Sequence, residues 1–150
     1  MNKNLLFFVL AFTASSALAH EIARDGNVGG LLHIEPDDAP VVGKPNAFYF
    51  EVNQKGGKPI LLAQCSCSLQ VYAGSVPKAG SGAVAKPFST PKLAQAKGEL
   101  TGSLNFPRPG AYTLVLAGQP KAGATFSKFS LSWVIRADVA GTGGGMDMNH

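Results

Sequence analysis

Short segments in which apolar and polar residues alternate run through most of this chain, and Gly and Pro separate them. In segment 48–52 the even-numbered residues are apolar, and in segment 129–135 the odd-numbered residues are apolar. A period of two is typical of β-strands that bury one face. The pattern predicts six strands and a shorter seventh at 59–63; the six are 30–35, 47–53, 65–73, 99–106, 111–117 and 125–137.

This arrangement predicts an all-β, immunoglobulin-like or fibronectin-like antiparallel β-sandwich of about seven strands. The turn at 107–110 leads into a strand with Tyr112 near its start, a position where such sandwiches often form a tyrosine corner. Segment 74–97 is rich in Ala, Ser, Pro and Lys. We expect a long connection there, with one short helical turn near 91–96.

The start of the chain has the features of an export signal. Lys3 precedes an apolar stretch at 5–12, and Ala17, Leu18 and Ala19 form a small-x-small cleavage site. The apolar stretch is far shorter than the roughly 20 residues of a membrane-spanning helix, so we favour a cleaved signal over an anchor. The sequence predicts a signal peptide at 1–19, a domain at 20–140, a flexible Gly-rich tail at 141–150, and a periplasmic or secreted product without a later transmembrane segment.

The formal net charge of the whole chain is +4, but the basic residues are scattered rather than clustered. A basic stripe with interleaved aromatic residues is the usual footprint of nucleic-acid binding. We therefore expect no nucleic-acid partner.

Cys65 and Cys67 are the only two cysteines, and in a strand they would project from the same face. Their α-carbons would lie roughly 6.6 Å apart in extended chain, near the upper limit for a disulfide. If both thiolates are free, they could chelate copper(I), the ion that soft sulfur ligands favour. Two alternatives stay open: buried thiols that act as small apolar side chains, and a structural disulfide.

Further candidate copper ligands lie at the two ends of the predicted mature chain. His20 would offer an α-amine and an imidazole to copper(II) after cleavage. Met146, Met148 and His150 would offer two thioethers and an imidazole to copper(I). The alternative for this segment is a frayed terminus without function. His33 is expected to be a surface histidine.

Enzymatic motifs are missing from the sequence. It contains no Gly-x-Ser-x-Gly elbow, no His-Glu-x-x-His helix and no phosphate-binding loop, and Asp37 and Asp38 follow Pro36 in an apparent turn. The alternation of strands and helices found in thioredoxin-like domains is also missing. We therefore expect a protein that is not an enzyme, with a thiol oxidoreductase left open.

Three features together resemble the small exported copper-handling β-sandwiches of the CopC-like and YtkA-like families. They are Ala19-His20 at the cleavage site, the segment 40–45 that leads into 48–52, and the segment 109–112 that leads into a late strand. In CopC-like proteins an amino-terminal His and a later Asp-x-His hold copper(II). His20 matches the first, whereas the chain has no Asp-x-His, and the Cys-x-Cys pair would suit a copper(I) carrier better.

The sequence thus predicts an exported protein that binds copper and holds or delivers it to an exported or membrane-bound receiving protein. Cys65 and Cys67 would be the primary copper(I) ligands, and His20 or the tail residues Met146, Met148 and His150 would complete or transfer the coordination. The alternatives are a structural or protein-interaction sandwich and a thiol–disulfide reductant for a copper-site apoprotein.

Overall fold

The computed structural model describes residues 21–76 and 86–141, and these residues form two antiparallel β-sheets. A short 3-10 helix, Leu62–Gln64, precedes the fourth strand. The eight strands are β1 (Ala23–Asp25), β2 (Val28–Ile34), β3 (Pro45–Gln54), β4 (Cys65–Ala73), β5 (Ala94–Ala96), β6 (Glu99–Asn105), β7 (Gly110–Pro120) and β8 (Phe129–Ala137).

The first sheet has the strand order β1-β2-β3-β6-β5, and the second has the order β4-β7-β8. Neighbouring strands in both sheets are antiparallel. The predicted all-β, immunoglobulin-like sandwich is therefore confirmed, with two three-residue strands among the eight. Among the described residues, no helix is long and apolar enough to cross a bilayer.

The core follows from the alternation in the sequence. Phe48, Phe50 and Val52 of β3 are buried, and so are Leu131 and Trp133 of β8. The rings of Phe50 and Trp133 meet across the two sheets with centroids 5.2 Å apart. Burial of these large apolar side chains is the main source of stability in such a sandwich.

Tyr112 forms the predicted tyrosine corner at the start of β7. Its hydroxyl donates to the carbonyl oxygen of Arg108 at 2.6 Å and accepts from the Arg108 backbone N–H at 3.2 Å. The ring is buried and packs against Phe106 with centroids 4.8 Å apart. The corner thus fixes the turn that brings the chain from one sheet to the other.

Three local predictions were wrong. Segment 91–96 contains β5 rather than a helical turn, because Lys97 and Gly98 both adopt positive φ and form a two-residue hairpin turn between β5 and β6. In segment 59–63 only an isolated bridge from Pro59 to Asn53 is present before the 3-10 helix. The last strand begins at Phe129 rather than at residue 125.

Candidate functional site

The two cysteines lie at the start of β4, where local hydrogen bonds fix the chain. The 3-10 helix ends as the Cys65 backbone N–H donates to the carbonyl oxygen of Leu62. The Leu62 N–H donates to the side-chain oxygen of Gln95 at 2.9 Å, which ties this corner to β5. The pairing with β7 begins beside Cys65, since the Lys121 N–H donates to the carbonyl oxygen of Gln64 at 2.9 Å.

A disulfide joins Cys65 to Cys67. Their α-carbons are 5.2 Å apart, closer than the spacing of fully extended chain. The register with β7 is continuous here, with Cys65 opposite Pro120 and Cys67 opposite Gly118, so no bulge produces the approach. A locally contracted strand brings the sulfurs together, and the cysteines of this structure are disulfide-bonded rather than free thiols.

Both cysteines lie on the same face of β4, as predicted, and this face points inward, but their exposure differs. Cys65 is 2% exposed and belongs to the apolar core, together with Leu69 and Val71 of the same strand face. Cys67 is partly buried and packs against the edge of that core. One half of the disulfide is therefore interior and the other half lies toward solvent.

Gly118 of β7 provides the space that the disulfide needs. A Cβ atom on this residue would lie 2.9 Å from the Cys65 sulfur and would also overlap the ring of Phe129. Real Cβ atoms do not approach other heavy atoms this closely, so glycine is the residue that fits between sulfur and ring. No signal in the sequence alone had marked Gly118 as part of the site.

Replacing Gly118 with alanine is expected to destabilise the oxidised protein by about 1–3 kcal/mol, the usual cost of overpacking a core. The loss should be smaller in a Cys65→Ser/Cys67→Ser background, where one of the two clashes is relieved. Urea unfolding of the four proteins gives this coupling as a double-mutant cycle. An equal loss in both backgrounds would mean that the disulfide does not depend on the glycine.

A depression of about 260 Å³ borders the partly buried half of the disulfide, because Cys67 is one of the residues that line it. Its other walls include Ser66 and Ser68 of β4, Gln119 of β7 and Lys128, the residue before β8. Cys65 does not line this depression, so the Cys67 half of the disulfide is the half that borders it.

A cleft at the ends of the described chain lies between β2 and β8. This β2–β8 cleft has a volume of about 680 Å³, and its walls include Leu32, Trp133 and Ile135. Glu21 and Gly141, the residues at the two described ends, also line it. The indole N–H of Trp133 donates to the carbonyl oxygen of Glu21 at 3.0 Å, which fixes the first of these ends.

The cleft is well separated from the disulfide. Cys67 pairs with Gly118, which pairs with Phe129 of β8, so β4 and β8 are two strand spacings apart, or roughly 10 Å. Trp133 lies four residues farther along β8, which adds roughly 13 Å in the perpendicular direction. The two places are therefore on the order of 16 Å apart.

Four of the predicted ligands, His20, Met146, Met148 and His150, lie outside the described residues.

Within residues 21–76 and 86–141, no group of three or more His, Cys, Asp or Glu side chains is placed to hold a metal ion. His33 instead stacks on Tyr49, with ring centroids 4.6 Å apart, and its Nδ1 lies 3.7 Å from a carboxylate oxygen of Asp38. Partial burial raises the pKa of Tyr49, and nearby carboxylates, Glu35 foremost, raise it further. This pair contributes to the outer face of the first sheet.

No family model matches the chain, and no curated protein matches it either. One solved structure that aligns with this chain is that of a DUF4426 family protein from Pseudomonas aeruginosa PAO1. The alignment covers 77% of this chain and 94% of that protein, with 7% sequence identity and a TM-score of 0.46.

Proposed function

We propose that this protein is an exported copper carrier that binds copper(I) through Cys65 and Cys67 once their disulfide is reduced. One observation carries the proposal: the two sulfurs lie on the same face of β4, with α-carbons 5.2 Å apart. Soft thiolate ligands select copper(I), and a metal binds only the deprotonated, reduced form of a cysteine. The disulfide would be the form of the protein that binds no copper.

The cysteine pair suits a protein that holds or delivers copper rather than one that catalyses a reaction, because the pair has few neighbouring ligands. A copper(I) ion on two sulfurs keeps coordination positions through which a receiving protein can take it by ligand exchange. Met146, Met148 and His150 of the tail would complete or transfer the coordination, since thioether and imidazole groups suit this ion. His20 would be an alternative to the tail in this role, since it also offers an imidazole.

The proposal predicts a strict dependence of copper binding on redox state. We expect reduced protein from His20 to His150 to bind one equivalent of copper(I) tightly, because both thiolates are available. Oxidised protein should compete poorly, because a disulfide sulfur is a weak ligand. Anaerobic competition against a chromophoric copper(I) chelator, with thiols counted before and after, measures both. Equal binding by the two forms would remove the cysteine pair as the copper(I) site.

Thiol–disulfide exchange is the second candidate function, and the Cys65–Cys67 disulfide favours it. A reductant for a copper-site apoprotein would need a defined reduction potential and measurable exchange with a disulfide substrate. An interaction module would instead keep its binding after both cysteines are replaced by serine. Equilibration with glutathione buffers measures the potential and separates these two alternatives.

A further inference from the structure

We propose that a dithiol reductant opens this disulfide by attacking the sulfur of Cys67, so that Cys65 is the sulfur released. The inference rests on the proposed function, because copper(I) binding requires the pair to be reduced. The two cysteines thus have different roles in the exchange, although they belong to one short Cys-x-Cys segment. The partner is a molecule or protein that carries two thiols.

A thiolate attacks a disulfide sulfur along the S–S axis, from the side opposite the leaving sulfur, and access is one of the factors that decide which sulfur is attacked. Attack on Cys65 would have to come from within the core, where this residue is 2% exposed. Attack on Cys67 comes from the partly exposed side of the pair.

The surroundings of the Cys65 sulfur close the first route. Even a single Cβ atom added to Gly118 would lie only 2.9 Å from this sulfur and would overlap the ring of Phe129. Phe129 is itself 1% exposed, and it forms part of the same core cluster as Cys65. A nucleophile with its attached chain has no room there while the sandwich is folded.

The proposed reaction balances as two consecutive exchanges. The first partner thiolate forms a bond to the Cys67 sulfur, the intramolecular S–S bond breaks, and Cys65 leaves as a thiolate that takes a proton from solvent. The second partner thiolate then attacks the partner's own sulfur in the mixed disulfide and releases the Cys67 thiolate. The partner loses two electrons to become a disulfide, and the cysteine pair gains them.

The test compares the two single variants, each of which leaves one free thiol. The Cys65→Ser protein, with Cys67 free, is expected to react with an aromatic disulfide reagent at least about tenfold faster than the Cys67→Ser protein, because access limits exchange. Low, non-denaturing concentrations of urea should accelerate only the slow variant, whose thiol reacts after local opening. Equal rates, or a faster Cys67→Ser protein, would overturn the proposal.

A second measurement uses the unaltered protein and does not depend on how the variants fold. The oxidised protein is treated with limiting glutathione, and the products are trapped with acid. Mass spectrometry then locates the mixed disulfide, after the peptide has been cleaved or fragmented between the two cysteines. We expect the adduct on Cys67, and an adduct found mainly on Cys65 would contradict the proposed order. Neither assay contains copper, so failure here leaves the copper titration as an independent test of the proposed function.

Discussion

The variant in which serine replaces both Cys65 and Cys67 is expected to bind copper(I) more than about 100-fold more weakly than the reduced unaltered protein. Mutation of residues that only support metal ligands lowers metal affinity by up to about 100-fold. The loss should be larger here, because the ligands themselves are removed. A hydroxyl is a hard, protonated donor that does not replace a thiolate on a soft ion. The same chelator competition used for the unaltered protein measures the loss.

A matched control is available on the same strand. Ser66 and Ser68 occupy the outward face of β4, so Ser66→Ala/Ser68→Ala changes two neighbouring positions without touching the sulfurs. This variant should keep the full affinity. Copper(I) binding that survives in the double serine variant of the cysteines, at unchanged affinity, would show that the ion is held elsewhere.

The terminal ligands can be tested in the same experiment, because Trp133 is the only tryptophan and lies at the β2–β8 cleft. Copper held close to Glu21 or Gly141 should quench its fluorescence strongly. Copper on the cysteine pair, on the order of 16 Å away, should quench it less. Truncation after Gly141 should remove whatever quenching the tail causes.

Replacing Asn46 with alanine is expected to destabilise the fold by about 2–4 kcal/mol, since removal of a partner leaves buried polar groups unsatisfied. Asn46 is 2% exposed, and its side-chain oxygen accepts from the Val41 N–H at 2.8 Å. Its amide donates to the carbonyl oxygens of Val41, Lys44 and Leu104 at 2.9, 2.9 and 3.2 Å. This one side chain ties the loop before β3 to β6.

Urea unfolding at a fixed redox state measures the effect, and Asn105→Ala is the matched control. Asn105 is an exposed residue at the end of β6, so its replacement should change stability by no more than about 0.5 kcal/mol. If Asn46→Ala lowered the free energy of unfolding by a similarly small amount, water would be satisfying the backbone groups that the Asn46 side chain binds in the unaltered protein. Copper affinity should be unchanged in both variants, because neither residue is near the disulfide.

Much of the architecture could be predicted because a strand reveals its buried face by alternation along the chain. The inward faces of β3 and β8 were identified correctly in this way, and the bounds of β4 were predicted without error. The tyrosine corner was predicted from a turn and one aromatic residue. Each of these features depends on residues that are close in sequence.

β5 was missed for the opposite reason. Its three exposed residues carry no alternating apolar signal, and they form a strand only because the turn at Lys97 and Gly98 places them against β6. Its residue Gln95 also receives the N–H of Leu62, thirty-three positions away, and so supports the segment that leads to Cys65. Pairings of this kind are absent from any local pattern.

By itself the sequence determined that the chain forms a β-sandwich and that Cys65 and Cys67 share one face of one strand, because both follow from a period of two. Only the tertiary structure decided that the two sulfurs are bonded and that Cys65 is the interior one. It also placed Gly118 and Phe129 against that sulfur, and both described ends at one distant cleft. These features depend on packing between residues that are far apart in sequence. Alternation along a single strand carries no information about that packing.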